Sequence, residues 1–216
     1  TDCLEGIPLP DLEDIAPLKE TTVSLSDNRF GSQPIFRHDN MQLVLPTLDY
    51  KSPIPHISAN TLCEALDGNF DGLFAVLFII DCRFNYEFEG GHIKGASNCS
   101  SIDFLKKKFF TEPVENTIIV FHCEFSHNRG PSIAQLFREI DRFENKSRHP
   151  KIYYPNVYIL HGGYKEFYNQ FPDKCDGGYQ PMTDDYFLCN GICCKEMQMF
   201  RKNVDNGLKA VRKPLK

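Results

Sequence analysis

Three unbroken apolar runs constrain this chain more than any other feature: Leu73-Phe74-Ala75-Val76-Leu77-Phe78-Ile79-Ile80, Thr117-Ile118-Ile119-Val120-Phe121 and Val157-Tyr158-Ile159-Leu160. Each stops at polar or glycine-rich residues, at Asp81-Cys82-Arg83, His122-Cys123 and His161-Gly162-Gly163 respectively. A short run without polar alternation is how a strand buried on both faces reads. Helical spacing fills the gaps. Ser58 is placed to cap a short helix through Leu62, Ala65 and Leu66 that Gly68 stops. Ile133, Leu136, Phe137, Ile140 and Phe143 recur at helical spacing behind Pro131, a residue tolerated in a first turn. Ile192, Met197, Phe200, Val204, Leu208 and Val211 share one face of a last helix over 192–211. This alternation predicts an α/β fold, three layers with a central, mostly parallel sheet flanked by helices.

Residues 1–49 contrast with this. They hold prolines at 8, 10, 17, 34 and 46 and no sustained period, and are expected to form a loosely packed or partly disordered extension. The folded domain is expected over 50–202, with 203–216 as the end of the last helix and a basic tail. The chain carries 24 Lys+Arg against 29 Asp+Glu, a net charge of −5, which disfavours nucleic acid as a partner. The longest apolar run has eight residues, too few to span a membrane, and Thr1-Asp2-Cys3-Leu4-Glu5 has neither the basic nor the apolar region of a secretory signal. Nine cysteines in 216 residues are too sparse for a secreted scaffold and odd in number, so they are expected as thiols in a reducing compartment.

The sharpest chemical signal is Ile119-Val120-Phe121-His122-Cys123-Glu124-Phe125-Ser126-His127-Asn128-Arg129-Gly130. A buried strand delivers Cys123 into a short loop that Arg129 closes where a helix begins, a Cys-x5-Arg spacing. Five intervening residues let successive backbone N–H groups of Glu124, Phe125, Ser126, His127, Asn128 and Arg129 turn inward and form a nest for a tetrahedral oxyanion. The helix adds its positive end. Arg129 supplies a planar fork for two phosphate oxygens. A thiolate at the base of such a cradle is an in-line nucleophile.

His122-Cys123-Glu124-Phe125-Ser126-(x2)-Arg129-Gly130-Pro131 resembles the active-site loop of the M-phase inducer phosphatases, dual-specificity enzymes with a rhodanese-like fold that activate cyclin-dependent kinases. Ile80-Asp81-Cys82-Arg83-(x2)-Tyr86-Glu87-(x1)-Glu89-Gly90-Gly91-His92-Ile93-Lys94 resembles a second signature of that family, and Tyr153-Tyr154-Pro155-(x2)-Tyr158-Ile159-Leu160-(x1)-Gly162-Gly163-Tyr164-Lys165-Glu166-Phe167 a third. Tyr179-(x1)-Pro181-Met182 and Phe200-Arg201 echo its C-terminal segment, so the resemblance covers about residues 50–202. It implies that Cys123 forms a phosphocysteine that water then hydrolyses, with Arg129 and the loop amides holding the charge and no metal or cofactor needed. It further implies a monomer acting on a phosphorylated cyclin-dependent kinase–cyclin complex in nucleus and cytoplasm. Cys82 matches a cysteine that pairs with the nucleophile in the family, and Arg138 and Arg142 match basic residues that dock the kinase.

The family commonly carries a second Glu just before the loop Arg, where this chain has Asn128. Asn cannot donate a proton as an acid, so the donor role falls to Glu124 or to the substrate itself. Ser132 stands where the family usually has Arg, and His149 where it has Tyr. Cys175, Cys189, Cys193 and Cys194 lack the paired layout of a structural zinc site. Two alternatives stay open: an arsenate reductase on the same fold, since arsenate mimics phosphate, and a kinase-binding module whose catalysis Asn128 has weakened. Sulfur transfer is disfavoured, because sulfurtransferases of this fold carry a loop one residue shorter.

Overall fold

A computed structural model describes residues 43–99 and 101–212. The chain order is β1 (His56–Ile57), α1 (Ala59–Leu66), β2 (Val76–Asp81), α2 (Asn85–Gly90), β3 (Gly91–Ile93), β4 (Ser97–Asn98), α3 (Ile102–Phe109) and β5 (Thr117–His122). There follow α4 (Arg129–Glu144), β6 (Asn156–Leu160), α5 (Gly163–Gln170), β7 (Cys175–Gly177), α6 (Asp185–Cys189) and α7 (Ile192–Arg212). The main sheet has the order β1-β6-β5-β2-β4, and every pair in it is parallel. β3 and β7 form a separate antiparallel pair.

β5 is the centre of this sheet and is buried at every position, as its unbroken apolar run predicts. Alternate residues feed two cores. Ile118 and Val120 face one layer with Ile57, Tyr158, α1 (Leu62) and α5 (Phe167). Ile119, Phe121 and Cys123 face the other, with α3 (Phe109), α4 (Ile133, Phe137) and Val204 of α7. The second layer is fastened by rings: Phe137 lies 5.3 Å from Phe109, 5.5 Å from Phe121 and 5.6 Å from Tyr154. Such aromatic pairs contribute about 0.5–1.5 kcal/mol each beyond their buried area. They hold α4, and with it the end that follows the cysteine loop, against β5. Among the described residues no helix is long and apolar enough to cross a membrane.

Three sequence expectations are adjusted. The run from Leu73 does not start a strand there: Leu73 donates its N–H back to Phe70 in a turn and is 55% exposed, and β2 begins at Val76. Its first half is only half-buried, because β4 pairs with β2 solely at Ile80 and Asp81. The expected extension over 1–49 lies outside the described residues as far as residue 42, but its last part belongs to the domain. Leu45 is 2% exposed, and the backbone N–H groups of Val44 and Leu45 donate to the Tyr158 hydroxyl at 3.0 and 3.2 Å. At the other end α7 is part of the fold beyond residue 202, since Val204 is in the core.

Candidate active site

The carboxyl ends of β2, β5 and β6 lie side by side, the edge at which parallel α/β sheets build their sites. β5 ends at His122 and places Cys123, 4% exposed, at the head of the loop to α4. In that loop Glu124 and Ser126 are buried, while Phe125 is 42% exposed. Ser126 adopts a left-handed backbone (φ 56°), and its buried hydroxyl has no hydrogen-bond partner among the described residues. A left-handed residue inside a short loop is the kind of turn that gathers successive amides on one side.

The carbonyls are fixed on the other side by α5. The N–H groups of Tyr164 and Lys165, in its first turn, donate to the carbonyls of Cys123 and Glu124 at 2.9 and 3.0 Å. These helix-terminal donors have no partner within their own helix. The approach requires glycine at 163: its φ is +64°, and a Cβ there would stand 2.5 Å from both of those carbonyl oxygens. Gly130 has a similar role at the start of α4, where a Cβ would stand 3.0–3.2 Å from the His122 and Cys123 backbone. Asn128 occupies the N-cap of α4 and accepts from Ser132 N–H at 2.9 Å through its carbonyl.

Arg129 is 4% exposed, and its Nη1 and Nη2 donate to the two carboxylate oxygens of Glu87, the latter at 3.0 Å. Glu87 is fully buried and also accepts from Phe84 N–H at 2.9 Å, which caps α2. Burial works against the charge on Arg129, but the Glu87 carboxylate more than offsets it and raises the guanidinium above its ordinary pKa. The guanidinium also stacks over Phe84 at 4.6 Å, and its Nη2 is 3.8 Å from a carboxylate oxygen of Glu124. Glu124 accepts from the Tyr179 hydroxyl at 2.5 Å. Burial, and then the hydrogen bond to Glu124, raises the Tyr179 pKa, so Tyr179 is a neutral donor at physiological pH.

Beneath the loop lies a second buried ion pair. Arg83 Nη2 is 2.6 Å from Asp81 Oδ2, its Nε reaches Asp81 Oδ1 at 3.0 Å, and it stacks over Tyr164 at 3.8 Å. Burial alone would raise the Asp81 pKa, but the charge and hydrogen bonds of Arg83 outweigh it and hold that carboxyl below its usual range. His122 is fully buried, its Nδ1 is 3.3 Å from the Cys123 carbonyl, and burial lowers its pKa. A neutral imidazole in that position orients the loop, as its place beside Cys123 suggests.

The structure therefore brings Cys123, Glu124 and Arg129 together and sets Cys82 at the end of the neighbouring strand. The two arginines expected to dock a partner lie one turn apart on α4 with different surroundings. Arg142 is exposed, whereas Arg138 is half-buried and also ties the fold together. Its guanidinium donates to the carbonyls of Tyr154 and Pro155, its side chain is 13% exposed, and burial lowers its pKa to about 10. Asp141 completes that clamp by accepting from Tyr153 and Tyr154 N–H at 2.9 and 3.1 Å. Among the described residues no group of three or more His, Cys, Asp or Glu is placed to hold a metal ion. Sequence reasoning did not assign roles to Glu87 and Tyr179. Both stand inside the quoted signatures, and only the folded geometry shows that they meet the loop.

The fold and this loop define a class, the parallel α/β domains that present a strand-end cysteine in an oxyanion nest closed by an arginine at a helix start. The rhodanese-like domain family matches residues 62–170, and the chain belongs to that family. It is 42% identical over 164 residues to the M-phase inducer phosphatase of Schizosaccharomyces pombe, covering 74% of this chain and 27% of that protein. It is 38% identical over 180 residues to M-phase inducer phosphatase 3 of Mus musculus, covering 79% of this chain and 40% of that protein. The chain thus spans between about a quarter and two-fifths of the length of these relatives. Among solved structures, an As-Sb reductase from Leishmania major is 26% identical with a TM-score of 0.41, covering 63% of this chain and 97% of that one.

Proposed function

We propose that this domain is a cysteine-dependent dual-specificity protein phosphatase that removes phosphate from tyrosine and threonine of cyclin-dependent kinases. Its substrate is the phosphorylated kinase–cyclin complex, whose activation drives the cell cycle through mitosis and meiosis. It acts as a monomer, in nucleus and cytoplasm. The observation that carries this reading is the loop from Cys123 to Arg129, its carbonyls tied to α5 and its arginine fixed by a buried glutamate.

In the first step the Cys123 sulfur attacks phosphorus, the P–O ester bond breaks, and the leaving oxygen takes a proton from Glu124. In the second step water gives a proton back to Glu124 as it attacks the phosphocysteine, the S–P bond breaks, and inorganic phosphate leaves with Cys123 and Glu124 restored. Charge on the equatorial oxygens grows in both steps and is met by loop amides and Arg129, donors already in place before reaction. Arg142, exposed on α4, is the cation available for docking the kinase complex. Turnover of an aryl phosphate by the wild-type chain and by Cys123→Ser tests the reading. Loss of activity in the variant supports it, and an inactive wild type or an unaffected variant refutes it.

A further inference from the structure

Cys123 is not the only thiol at this edge of the sheet. Asp81 of β2 pairs with His122 of β5 on one side and with Asn98 of β4 on the other. One residue further along, Cys82 therefore stands between Cys123 and Cys99. The ladder continues that far: Cys82 N–H donates to His122 O and Cys99 N–H to Asp81 O, both at 2.8 Å. Neighbouring strands lie about 4.8 Å apart, within the Cα separation of about 4.4–6.8 Å that a disulfide accepts. All three sulfurs face the same core layer, and the Cys99 thiol and Cys123 both act on Cys82. A cavity of about 170 Å³, lined by Cys82, Cys99, Ser101, Ile133, Phe200 and Val204, opens on the middle and outer thiols from the side of α7.

We propose that Cys99 is a second resolving thiol and that Cys82–Cys99 is the disulfide in which oxidation of this domain comes to rest, leaving Cys123 free. The proposal rests on Cys123 being the reactive thiol of the phosphatase reading. Hydrogen peroxide converts the Cys123 thiol to sulfenic acid with release of water. The Cys82 thiol attacks that sulfur, forming Cys82–Cys123 and a second water. Cys99 then attacks the Cys82 sulfur. The Cys82–Cys123 bond breaks, Cys82–Cys99 forms, and Cys123 departs as a thiolate that then takes up the proton Cys99 gave up. The sum is two thiols and one peroxide giving one disulfide and two waters.

The direction of the exchange follows from the surroundings. A Cys82–Cys123 disulfide removes the sulfur's charge from beside Arg129 and the loop amides, whereas a departing Cys123 thiolate returns it there. Exchange favours the better-stabilised leaving thiolate. The cavity, lined by both Cys82 and Cys99, then gives a small external thiol access to the resting disulfide.

The test is one equivalent of hydrogen peroxide added to wild type, Cys99→Ser and Cys99→Ala, followed by acid quench, alkylation of free thiols and disulfide mapping by mass spectrometry. Wild type is expected to show Cys82–Cys99 with Cys123 alkylated, and to keep more than half of its aryl phosphatase activity. Both variants are expected to show Cys82–Cys123 and at least tenfold loss of activity, reversed by dithiothreitol. Wild type trapped as Cys82–Cys123, bonded through any other cysteine, or over-oxidised at Cys123 without a disulfide overturns the proposal. The disulfide map needs no turnover, so an inactive wild type would refute the phosphatase reading while the map still decides the fate of Cys99.

Discussion

Arg129, the residue that closes the cysteine loop, is held by the carboxylate of Glu87, 42 positions earlier on α2. Both are buried, and Glu87 is in turn fixed by Phe84 N–H. The arginine that would meet phosphate is thus set by a strand-end helix that contains no other part of the loop. A neutral amide at 87 keeps one hydrogen bond but removes the charge that fixes the fork. Glu87→Gln is expected to lower kcat/KM for an aryl phosphate by roughly 10- to 100-fold, about 1.4–2.8 kcal/mol of transition-state stabilisation. Steady-state kinetics checks this, and a change under threefold would show that Arg129 does not depend on Glu87.

Gly163 couples α5 to the loop at a backbone conformation that L side chains rarely adopt. Gly163→Ala forces a Cβ against the carbonyls of Cys123 and Glu124. It is expected to cost about 1–3 kcal/mol of stability through local strain and to weaken inhibition by inorganic phosphate at least tenfold. Thermal melting and phosphate inhibition measured on one preparation check both effects.

Asn128 supplies no acid where the related phosphatases commonly have one, which leaves Glu124 as the loop's carboxylate. That carboxylate is also engaged by the Tyr179 hydroxyl at 2.5 Å, and a second carboxyl at 128 would share with it the protonation of the leaving group. Asn128→Glu is therefore expected to raise the rate on a phosphothreonine peptide at least fivefold relative to the rate on an aryl phosphate, whose leaving group needs less protonation. An unchanged ratio of the two rates would assign no acid role to position 128.

His56 gives the fold a pH dependence of defined sign. It is 4% exposed, and burial, then the neighbouring His161, lowers its pKa from 6.5 to about 4. The unfolded chain therefore takes up this proton first as pH falls, so stability is full above pH 6.5 and is lost between 6.5 and about 4. At about 1.36 kcal/mol per unit the loss approaches roughly 3 kcal/mol. His122, also lowered by burial, adds in the same direction. Melting temperatures over that range are expected to fall more steeply for wild type than for His56→Gln, and parallel curves would contradict the assignment.

Much of this was legible in the sequence because local and tertiary demands coincide there. β5 is buried on both faces, so its residues could only be apolar, and the polar residues that follow mark the loop. Leu73 misled because apolarity alone does not distinguish a strand from the turn before it, and β4 is too short to cover the start of β2. Arg138 matches a docking position in sequence, yet only the folded path of Tyr154 and Pro155 shows their carbonyls taking up its donors. Glu87, Tyr179 and Cys99 were legible as residues but not as contacts. Glu87 and Tyr179 reach the loop from distant segments and Cys99 reaches Cys82 across strands, and spacing along one chain carries no record of strand order.

The central claim is a covalent phosphocysteine at Cys123, and rapid acid quench of the wild-type chain during turnover of an aryl phosphate tests it most directly. Mass spectrometry of the quenched protein is predicted to find one phosphoryl group on the peptide containing Cys123, formed as fast as the first product and absent from Cys123→Ser. Steady turnover with an unmodified Cys123 peptide, or a phosphoryl group on any other residue, would contradict the account.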